Sequence, residues 1–331
     1  MVQEICPDLF LIEVPLPNSP LKSLNSYIIR SKDRHLVIDT GLNQKACYEA
    51  LHSGLTHLGV DLARTDFFIT HLHADHFGLV SKLTTESSRI FFNRPDAEII
   101  ESWDGWGAML EAAGRNGFPE SELRNAIEHH PGYKFGSEWV PELSILKDGD
   151  TIDAGDYHFR CVHTPGHTMG HTCLYDEARK LFIAGDHILI DITPNIQCWS
   201  EKENPLANYM CSLDRVKDLD IDLVLPGHRR LVDRPKERIG ELQRHHMQRC
   251  DEILNILSGG EMSAYAVASK MHWDIKCDSW AQFPIAQKWF ASGEAIAHLR
   301  YLEEKGTVTR QQRGEHVIFG VNGGRQVEDE R

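Results

Sequence analysis

Short apolar segments bounded by turn residues dominate the first part of the chain, which is typical of β-strands. The segments predicted as strands are residues 9–14, 26–29, 35–38 and 67–70. Before the last of these, residues 45–58 carry apolar side chains at helical spacing, and the pattern stops at Gly59. This order of strands, helix and strand predicts a mixed α/β (α+β) fold.

The pattern changes between residues 94 and 140, where helical spacing replaces the short apolar runs and Trp, Met and Glu are frequent. Turn signals at 114–117 and 131–132 interrupt this segment, which we interpret as a helical insertion. Short apolar runs return after it. They predict strands at residues 144–147, 151–153, 158–163, 172–175, 181–184 and 223–225.

Helical spacing also dominates the C-terminal part of the chain, beyond a boundary near residues 233–236. Three helices are predicted, followed by two short strands joined by a turn, which is the order of elements in a winged helix. The predicted helices are residues 238–257, 263–271 and 286–305, and the predicted strands are 307–310 and 316–320. We therefore expect a large domain at 1–234, a winged-helix-like domain at 235–321 and a polar tail at 322–331.

The balance of charge narrows the range of partners. The chain has 331 residues, of which 41% are hydrophobic, and a formal net charge of −14, so it should repel nucleic acid and anionic membranes overall. Its 8 cysteines form no C-x-x-C pair, no basic segment precedes an apolar run at the N-terminus, and no segment has the length of a membrane span. We expect a cytoplasmic protein with reduced thiols and no membrane contact.

The strongest chemical signal follows directly after the strand at 67–70. His71, His73, Asp75 and His76 place four potential metal ligands within six residues. A loop that leaves a buried strand can aim several side chains at one point. Imidazole suits zinc, iron and manganese, and a carboxylate adds a hard oxygen ligand. This segment therefore predicts a metal site.

Three further ligand candidates lie far along the chain, each after an apolar run and a glycine that permits a sharp turn. They are His167 after Gly166, Asp186 after Gly185, and His228 after Gly227. One such tripeptide would be a weak signal. Together with the His71–His76 loop they predict one metal centre at the ends of several strands.

Two cations held close together would lower the pKa of a shared water from about 15.7 towards about 7, which supplies a bridging hydroxide at neutral pH. Asp75 is the candidate catalytic residue, orienting that water and moving a proton to the leaving group. Asp39 and Thr40 are candidates to support the ligands, because ligating imidazoles usually donate their other N–H to an oxygen. A turn-capping role for Asp39 is the alternative.

From about residue 9 to residue 232, including Asp39-Thr40-Gly41, the sequence resembles the metallo-β-lactamase-fold hydrolase superfamily. The resemblance implies a four-layer αββα sandwich with two divalent metal ions at one edge, zinc being expected and iron or manganese the alternatives. It also implies a ligand assignment. His71, His73 and His167 would bind the first metal, Asp75, His76 and His228 the second, and Asp186 would bridge the two.

Three positions differ from the patterns of related enzymes, and these differences narrow the range of reactions expected. The best-known subclass of β-lactamases carries Cys where Asp186 stands, flavodiiron-type relatives carry Glu where His73 stands, and acyl-homoserine-lactone lactonases carry Tyr where Leu189 stands. These three activities are therefore disfavoured. Persulfide dioxygenases share the ligand motifs but use one iron, so that chemistry stays open.

Several aromatic and imidazole side chains are candidates to contact substrate. Trp103, Trp106 and Met109 are spaced to share one helix face, and would form either an apolar wall over the metals or ordinary core packing. Trp199 is a similar case. His187 and His171 neighbour ligands and could contact substrate, although packed support is the more common role. His245-His246 is interpreted as a solvated pair.

The C-terminal segment resembles the winged-helix-like tail of the β-lactamase-like protein 2 group, whose members are described as endoribonucleases. From residue 235 onwards 13 basic residues face 14 acidic ones, so a structural or dimerising tail is favoured over nucleic-acid binding. A homodimer is a possible arrangement.

Three functions are carried forward. The first is a hydrolase of an ester, thioester, lactone or similar acyl bond in a small molecule, which the acidic surface and the aromatic insertion favour. The second is a phosphodiesterase or endoribonuclease with the same metals, which requires a basic groove. The third is a winged-helix nucleic-acid-binding regulator with a vestigial metal site, which the complete ligand set disfavours.

Overall fold

The structure is a computed structural model that describes residues 2–137 and 142–323. It divides into two compact units, neither of which is continuous in sequence. Unit 1 comprises Met1–Trp103, Pro131–Pro194 and Cys211–Ile239, and unit 2 comprises Asp104–His130, Asn195–Met210 and Gly240–Arg331. Part of the predicted insertion thus groups with the C-terminal residues. The linear division into 1–234 and 235–321 stays a prediction, since compact units and sequence domains need not coincide.

Unit 1 contains a seven-stranded sheet whose strands follow one another in chain order. The strands are β1 (Val2–Cys6), β2 (Leu9–Pro15), β3 (Ser23–Ile29), β4 (His35–Ile38), β5 (Thr65–Phe68), β6 (Ile90–Asn93) and β7 (Ser144–Leu146). The first four pair antiparallel, and β4 to β7 pair parallel. Strands β1 and β6 were not expected from the sequence pattern, and β1 is a half-exposed edge strand.

A second sheet in unit 1 has five strands in the order β12-β11-β10-β9-β8. These are β8 (Thr151–Ala154), β9 (Tyr157–His163), β10 (Thr172–Asp176), β11 (Leu181–Gly185) and β12 (Leu223–Pro226). Only β11 and β12 pair parallel. All five strands were expected from the apolar runs.

The two sheets pack face to face, and helix α1 (Lys45–His57) covers the outer face of the first. Alternation along β3 explains this layering, since successive side chains of a strand point to opposite faces. Tyr27 and Ile29 lie in the core between the sheets, whereas Ile28 packs on the side of Leu51 from α1. This is the mixed α/β sandwich that the resemblance implied, so the predicted fold class is confirmed.

The region predicted as a helical insertion is helical in the residues that the structure describes. It contains α4 (Arg94–Glu101), α5 (Gly107–Arg115), α6 (Glu120–Glu128) and α7 (Pro131–Phe135), and its last residues, 138–140, lie outside the described chain. The predicted helix face of Trp103, Trp106 and Met109 is wrong. Only Met109 lies in a helix, because Gly105 adopts a positive φ of 108° between α4 and α5 and breaks the spacing.

Two very short helices, α2 (Ala74–Phe77) and α3 (Val80–Leu83), follow β5. The remaining helices are α8 (Pro205–Lys217), α9 (Pro235–Leu257), α10 (Ala264–Ala268) and α11 (Ile285–Glu304). The last two strands, β13 (Val308–Arg313) and β14 (His316–Val321), form an antiparallel hairpin. The predicted order of three helices and a hairpin is therefore present, and α8 is an element that the sequence pattern did not indicate.

Unit 2 has its own hydrophobic cluster, centred on the buried side chains of Phe118, Ile127 and Trp289. Trp199 stacks on Trp289 with ring centroids 4.2 Å apart. Among the residues that the structure describes, no helix combines the length and the apolar character required to cross a bilayer.

Candidate metal centre

The predicted ligands of unit 1 follow strand ends, and two of them, Asp75 and His76, lie in the short helix α2. The His71–His76 loop follows β5, the loop with His167 follows β9, Asp186 follows β11 and His228 follows β12. Strands β11 and β12 are parallel, so their carboxyl ends lie at the same edge, and the Gly227 amide donates to the Gly185 carbonyl at 2.7 Å. The pairing of these strand ends brings residues distant in sequence into one place.

All seven predicted ligands converge. Three overlapping groups have ligating atoms that lie within 4.8 Å of one another. The groups are His71 with His73 and His167, His71 with His76 and Asp186, and Asp75 with His76 and His228. The carboxylate of Asp186 lies between the groups, with Oδ1 3.5 Å from Nε2 of His76 and Oδ2 3.5 Å from Nε2 of both His167 and His228. The Asp186 carboxylate therefore lies close to imidazoles from each of the groups, and its role as a bridging ligand stays a prediction.

Three of the imidazoles are held through Nδ1, which leaves Nε2 directed at the cluster. Nδ1 of His76 donates to Oδ2 of Asp39 at 2.7 Å, and Nδ1 of His228 donates to the Ser23 carbonyl at 2.7 Å. Nδ1 of His71 lies 2.9 Å from Oγ1 of Thr70. Oxygen partners on one ring nitrogen fix the tautomer in which the other nitrogen carries the lone pair that a metal requires.

Asp39 organises one side of the cluster. Its carboxylate accepts from the Thr70 amide at 2.9 Å, from the Thr70 hydroxyl at 2.9 Å and from His76. Asp39 itself has a φ of 58°, a conformation that costs energy for residues other than glycine. Thr40 adds a bond from its hydroxyl to the His76 carbonyl at 2.8 Å. The structure thus places both predicted support residues against His76.

Asp96 is a buried carboxylate that the sequence reasoning missed. It accepts from the Leu72 amide at 2.9 Å, the Thr168 hydroxyl at 2.8 Å and the Gly170 amide at 2.6 Å. It therefore ties the loop of His71 and His73 to the loop of His167. Gly170 is required here, because a Cβ would lie 2.5 Å from the Asp96 carboxyl carbon. No local motif marks Asp96, since its partners lie 24 to 74 residues away.

His171 acts as support. Its Nε2 accepts from the Asp186 amide at 3.1 Å, and its Nδ1 lies 2.8 Å from the Thr164 hydroxyl. Nε2 therefore holds the Asp186 backbone, and the contact of Nδ1 with Thr164 fixes the ring. His187 is fully buried, and burial together with His167 lowers its pKa to about 3. A substrate contact by His187 stays a prediction.

The buried cluster favours the protonation states that metal ligands need. Burial and the neighbouring imidazoles lower the pKa of His71 well below its ordinary value, and burial with His167 lowers that of His73 to about 3. Burial opposes ionisation of Asp75 and Asp186. His76 and His228 outweigh it and lower the pKa of both carboxyls. Neutral imidazole and ionised carboxylate are the forms that coordinate a metal.

His76 and His228 differ because they face those carboxylates. Burial opposes their protonation, but Asp39 and Asp186 raise the pKa of His76 well above its ordinary value, and Asp186 and Asp75 raise that of His228 to about 10. A metal cation bound beside these carboxylates would compete with the protons on the rings of His76 and His228. Nε2 of both rings and Oδ1 of Asp186 are buried without a hydrogen bond inside the described parts of the chain, which metal ligation would resolve. The residues present therefore fit a metal centre.

Most of the predicted substrate-contact aromatics lie in unit 2. Trp106, Met109 and Trp199 pack against its hydrophobic cluster, so core packing accounts for them. Trp103 belongs to unit 1 and is 45% exposed. Contact of these four side chains with a substrate stays a prediction.

Fold and donor set together define a metallo-hydrolase of the sandwich type. Residues 21–228 match the family model of the metallo-beta-lactamase superfamily, and the chain belongs to that superfamily. Residues 250–319 match the model of the metallo-beta-lactamase-like C-terminal domain.

Individual relatives of the chain support its assignment to a class of hydrolases. The chain is 29% identical over 221 residues to an acyl-coenzyme A thioesterase, MBLAC2, from Homo sapiens, a match covering 62% of this chain and 72% of the relative. It is 25% identical to a probable metallo-hydrolase, YqjP, from Bacillus subtilis, over 94% of this chain and 97% of the relative. Homologues of this chain are thus named as hydrolases, and the prediction of an enzyme is confirmed.

Solved structures match along almost the whole chain. A metallo-beta-lactamase family protein from Thermus thermophilus has a TM-score of 0.83 and 27% identity, covering 96% of this chain and 100% of its own. A beta-lactamase domain protein from Burkholderia ambifaria has a TM-score of 0.84 and 25% identity, covering 97% and 94%. The similarity therefore includes the C-terminal residues as well as the sandwich.

Proposed function

We propose that this protein is a binuclear metal-dependent hydrolase of acyl bonds in small molecules, with acyl thioesters as the first choice. The observation that carries the proposal is the convergence of seven ligating side chains in three groups within 4.8 Å. The thioesterase relative supports the thioester, and the formal net charge of −14 disfavours polyanionic substrates such as RNA.

The proposed ligands divide between two metal ions in line with the groups of neighbouring ligating atoms. His71, His73 and His167 would hold one ion, Asp75, His76 and His228 the other, with Asp186 shared between them. Bound divalent ions of this kind lower the pKa of water and polarise a substrate carbonyl. Zinc is the proposed metal, with iron and manganese as alternatives, because this donor set serves all three.

The accessible edge of the cluster indicates where substrate would approach. The rings of His71, His76 and His228 are fully buried, whereas the Asp75 side chain is 17% exposed. Oδ2 of Asp75 lies 3.4 Å from Nε2 of His228, which leaves its other oxygen to orient an attacking water. Asp75 would accept the proton of that water and return it to the leaving group.

The test combines metal analysis with a substrate panel. Purified protein would be analysed for its elements, stripped with a chelator and reloaded with zinc, ferrous iron or manganese. Each form would be assayed on an acyl thioester, a lactone, a β-lactam, a phosphodiester and an RNA. We expect bound metal and fastest turnover of the thioester.

Three results would contradict the proposal. Protein that holds no metal and takes none up would remove the metal centre. Metal-loaded protein that cleaves RNA or a phosphodiester but no acyl bond would favour the endoribonuclease or phosphodiesterase alternative. Nucleic-acid affinity that survives metal removal, without turnover, would instead favour a regulator with a vestigial site.

A further inference from the structure

Unit 2 contains a cavity of about 200 Å³ that the proposed hydrolase chemistry does not use. Its lining combines guanidinium groups with an apolar surface. The residues that matter here are Arg115, Arg300, Arg310, Glu201, Ile296 and Phe319. Pockets for whole drug-sized ligands measure roughly 300–1,000 Å³, so this cavity suits a smaller group.

The three arginines converge on one glutamate. Arg115 pairs with Oε1 of Glu201, and Nη2 of Arg310 lies 3.1 Å from Oε2 of the same carboxylate. Nη2 of Arg300 donates to the Glu201 backbone carbonyl at 3.0 Å. Burial opposes ionisation of Glu201, but Arg310, Arg115 and Arg300 outweigh it and lower the pKa of that carboxyl. The arrangement is an anion held by guanidinium groups from three separate elements.

The guanidinium groups retain capacity for another anion. Nη1 of Arg300 donates to Glu303 at 2.6 Å, while its Nε is buried without a hydrogen bond among the described residues. The lining carries three arginines together with the carboxylates of Glu111 and Glu201, and Glu303 pairs with Arg300 from outside the lining. Guanidinium groups recognise phosphate and carboxylate through paired N–H donors.

Glu201 is the displaceable member of this cluster. Its side chain is 54% exposed, whereas that of Arg310 is only 21% exposed. Ion pairs with an exposed partner are held weakly. An incoming anion with more acceptor oxygens and more charge than a carboxylate would therefore compete with Glu201 for Arg115 and Arg310.

We propose that this cavity binds a small organic phosphate monoester. The phosphate would replace the Glu201 carboxylate between Arg115 and Arg310, since three phosphate oxygens and close to two negative charges suit the guanidinium groups. The attached organic group would lie against Ile296 and Phe319. This site is separate in residues from the metal ligands, so it stands or fails independently of the hydrolase proposal.

The test measures binding of phenyl phosphate to full-length, metal-loaded protein by isothermal titration calorimetry. We expect saturable binding that weakens at least 10-fold in Arg310→Gln. The matched control is Arg313→Gln, which removes a guanidinium group from the same strand as Arg310. The Arg313 guanidinium pairs with Glu261 and lies outside the cavity lining. That control should bind as the wild type does. Equal affinity of the wild type and both variants for phenyl phosphate would show that it binds outside this cavity, for example at the metal centre. That result would overturn the proposal.

Glu201→Gln is expected to change the affinity for phenyl phosphate in the opposite direction to Arg310→Gln. Removal of the competing carboxylate should tighten phenyl phosphate binding several-fold, whereas a purely structural ion-pair network predicts a lower melting temperature and no tighter binding. Weaker or unchanged affinity in Glu201→Gln would overturn the proposal. Should Arg310→Gln fail to fold, Arg310→Lys keeps the charge without the paired donors, and it should still weaken binding.

Inorganic phosphate and phenol separate the two halves of the ligand. We expect phenyl phosphate to bind more tightly than inorganic phosphate, because of the apolar wall, and phenol to show no saturable binding. Inorganic phosphate binding as tightly as phenyl phosphate would overturn the organic part of the assignment.

Discussion

Unit 1 and unit 2 each bury histidines, and the pKa values of His228 in unit 1 and His298 in unit 2 shift in opposite directions. In unit 1, His228 faces the carboxylates of Asp186 and Asp75, which raise its pKa to about 10 against the effect of burial. In unit 2, burial lowers the pKa of His298 to about 3, although its bond to the Glu294 carbonyl opposes this. Both side chains are fully buried. The carboxylates beside His228, and not burial, therefore account for the opposite pKa shifts of these two rings.

The unit 2 histidines form a neutral pair. Nδ1 of His298 donates to the Glu294 carbonyl at 2.8 Å, and Nδ1 of His246 donates to Nε2 of His298 at 3.1 Å. The Glu294 carboxylate is turned away, towards Asn195 and Arg249. The interpretation of His246 as solvated is wrong, because helix α9 buries it against Tyr209 and His298.

The largest expected effect comes from removing one imidazole ring of the unit 1 cluster, with removal of a buried imidazole in unit 2 as the comparison. His73→Ala should reduce metal content and lower turnover of the responding substrate on the order of 10³-fold, which corresponds to about 4 kcal/mol of transition-state stabilisation. Elemental analysis and steady-state kinetics would measure both. His298→Asn is the matched control and should keep its metal. Unchanged metal and rate in His73→Ala would defeat the ligand assignment.

A smaller effect is expected from the carboxylate that orients His76. Asp39→Asn should weaken metal affinity roughly 10- to 100-fold, as measured by competition with a chelator. Asn tolerates the positive φ found at this position, so the backbone should persist. Asp66→Asn is the control, since Asp66 is also buried but binds Arg34 and Arg89. Equal loss of metal affinity in both variants would assign Asp39 a general structural role.

Acid should act on unit 2 through His298. Because its pKa is lowered on folding, its contribution to stability is complete above about pH 6.5, the unfolded value, and is lost as pH falls towards 3. Between pH 6.5 and pH 5 the loss should be about 2 kcal/mol in the free energy of unfolding. Urea unfolding at several pH values would show this slope flattened in His298→Asn. Identical slopes in the two proteins would refute the neutral pair.

The smallest effect concerns the one aromatic candidate in unit 1. Trp103→Ala should change the free energy of unfolding by less than about 1 kcal/mol, because the side chain is 45% exposed. If Trp103 contacts the substrate, KM should rise several-fold with kcat retained. An unchanged KM would remove it from the substrate site.

Much of the candidate site could be predicted because its signals are local. Each ligand follows a short apolar run, and strand ends are where polar side chains converge. Asp39 and Thr40 were found in the same way, at the end of β4. Asp96 and Ser23 escaped prediction, since their bonds to ligand loops or ligands span distances in sequence that no motif records. Strand β6 was also missed, since its three apolar residues before Asn93 do not by themselves distinguish a strand from a buried turn.

The periodicity was sufficient to predict a mixed α/β fold, and the ligand candidates after successive apolar runs were sufficient to predict a metal centre. The sandwich architecture was implied by the resemblance to the metallo-β-lactamase superfamily. The division into two discontinuous units, the opposite pKa shifts of His228 and His298, and the convergence of three arginines on Glu201 could not be deduced that way. Each depends on which side chains meet across the chain, and electrostatic interactions and burial are set by those distances alone.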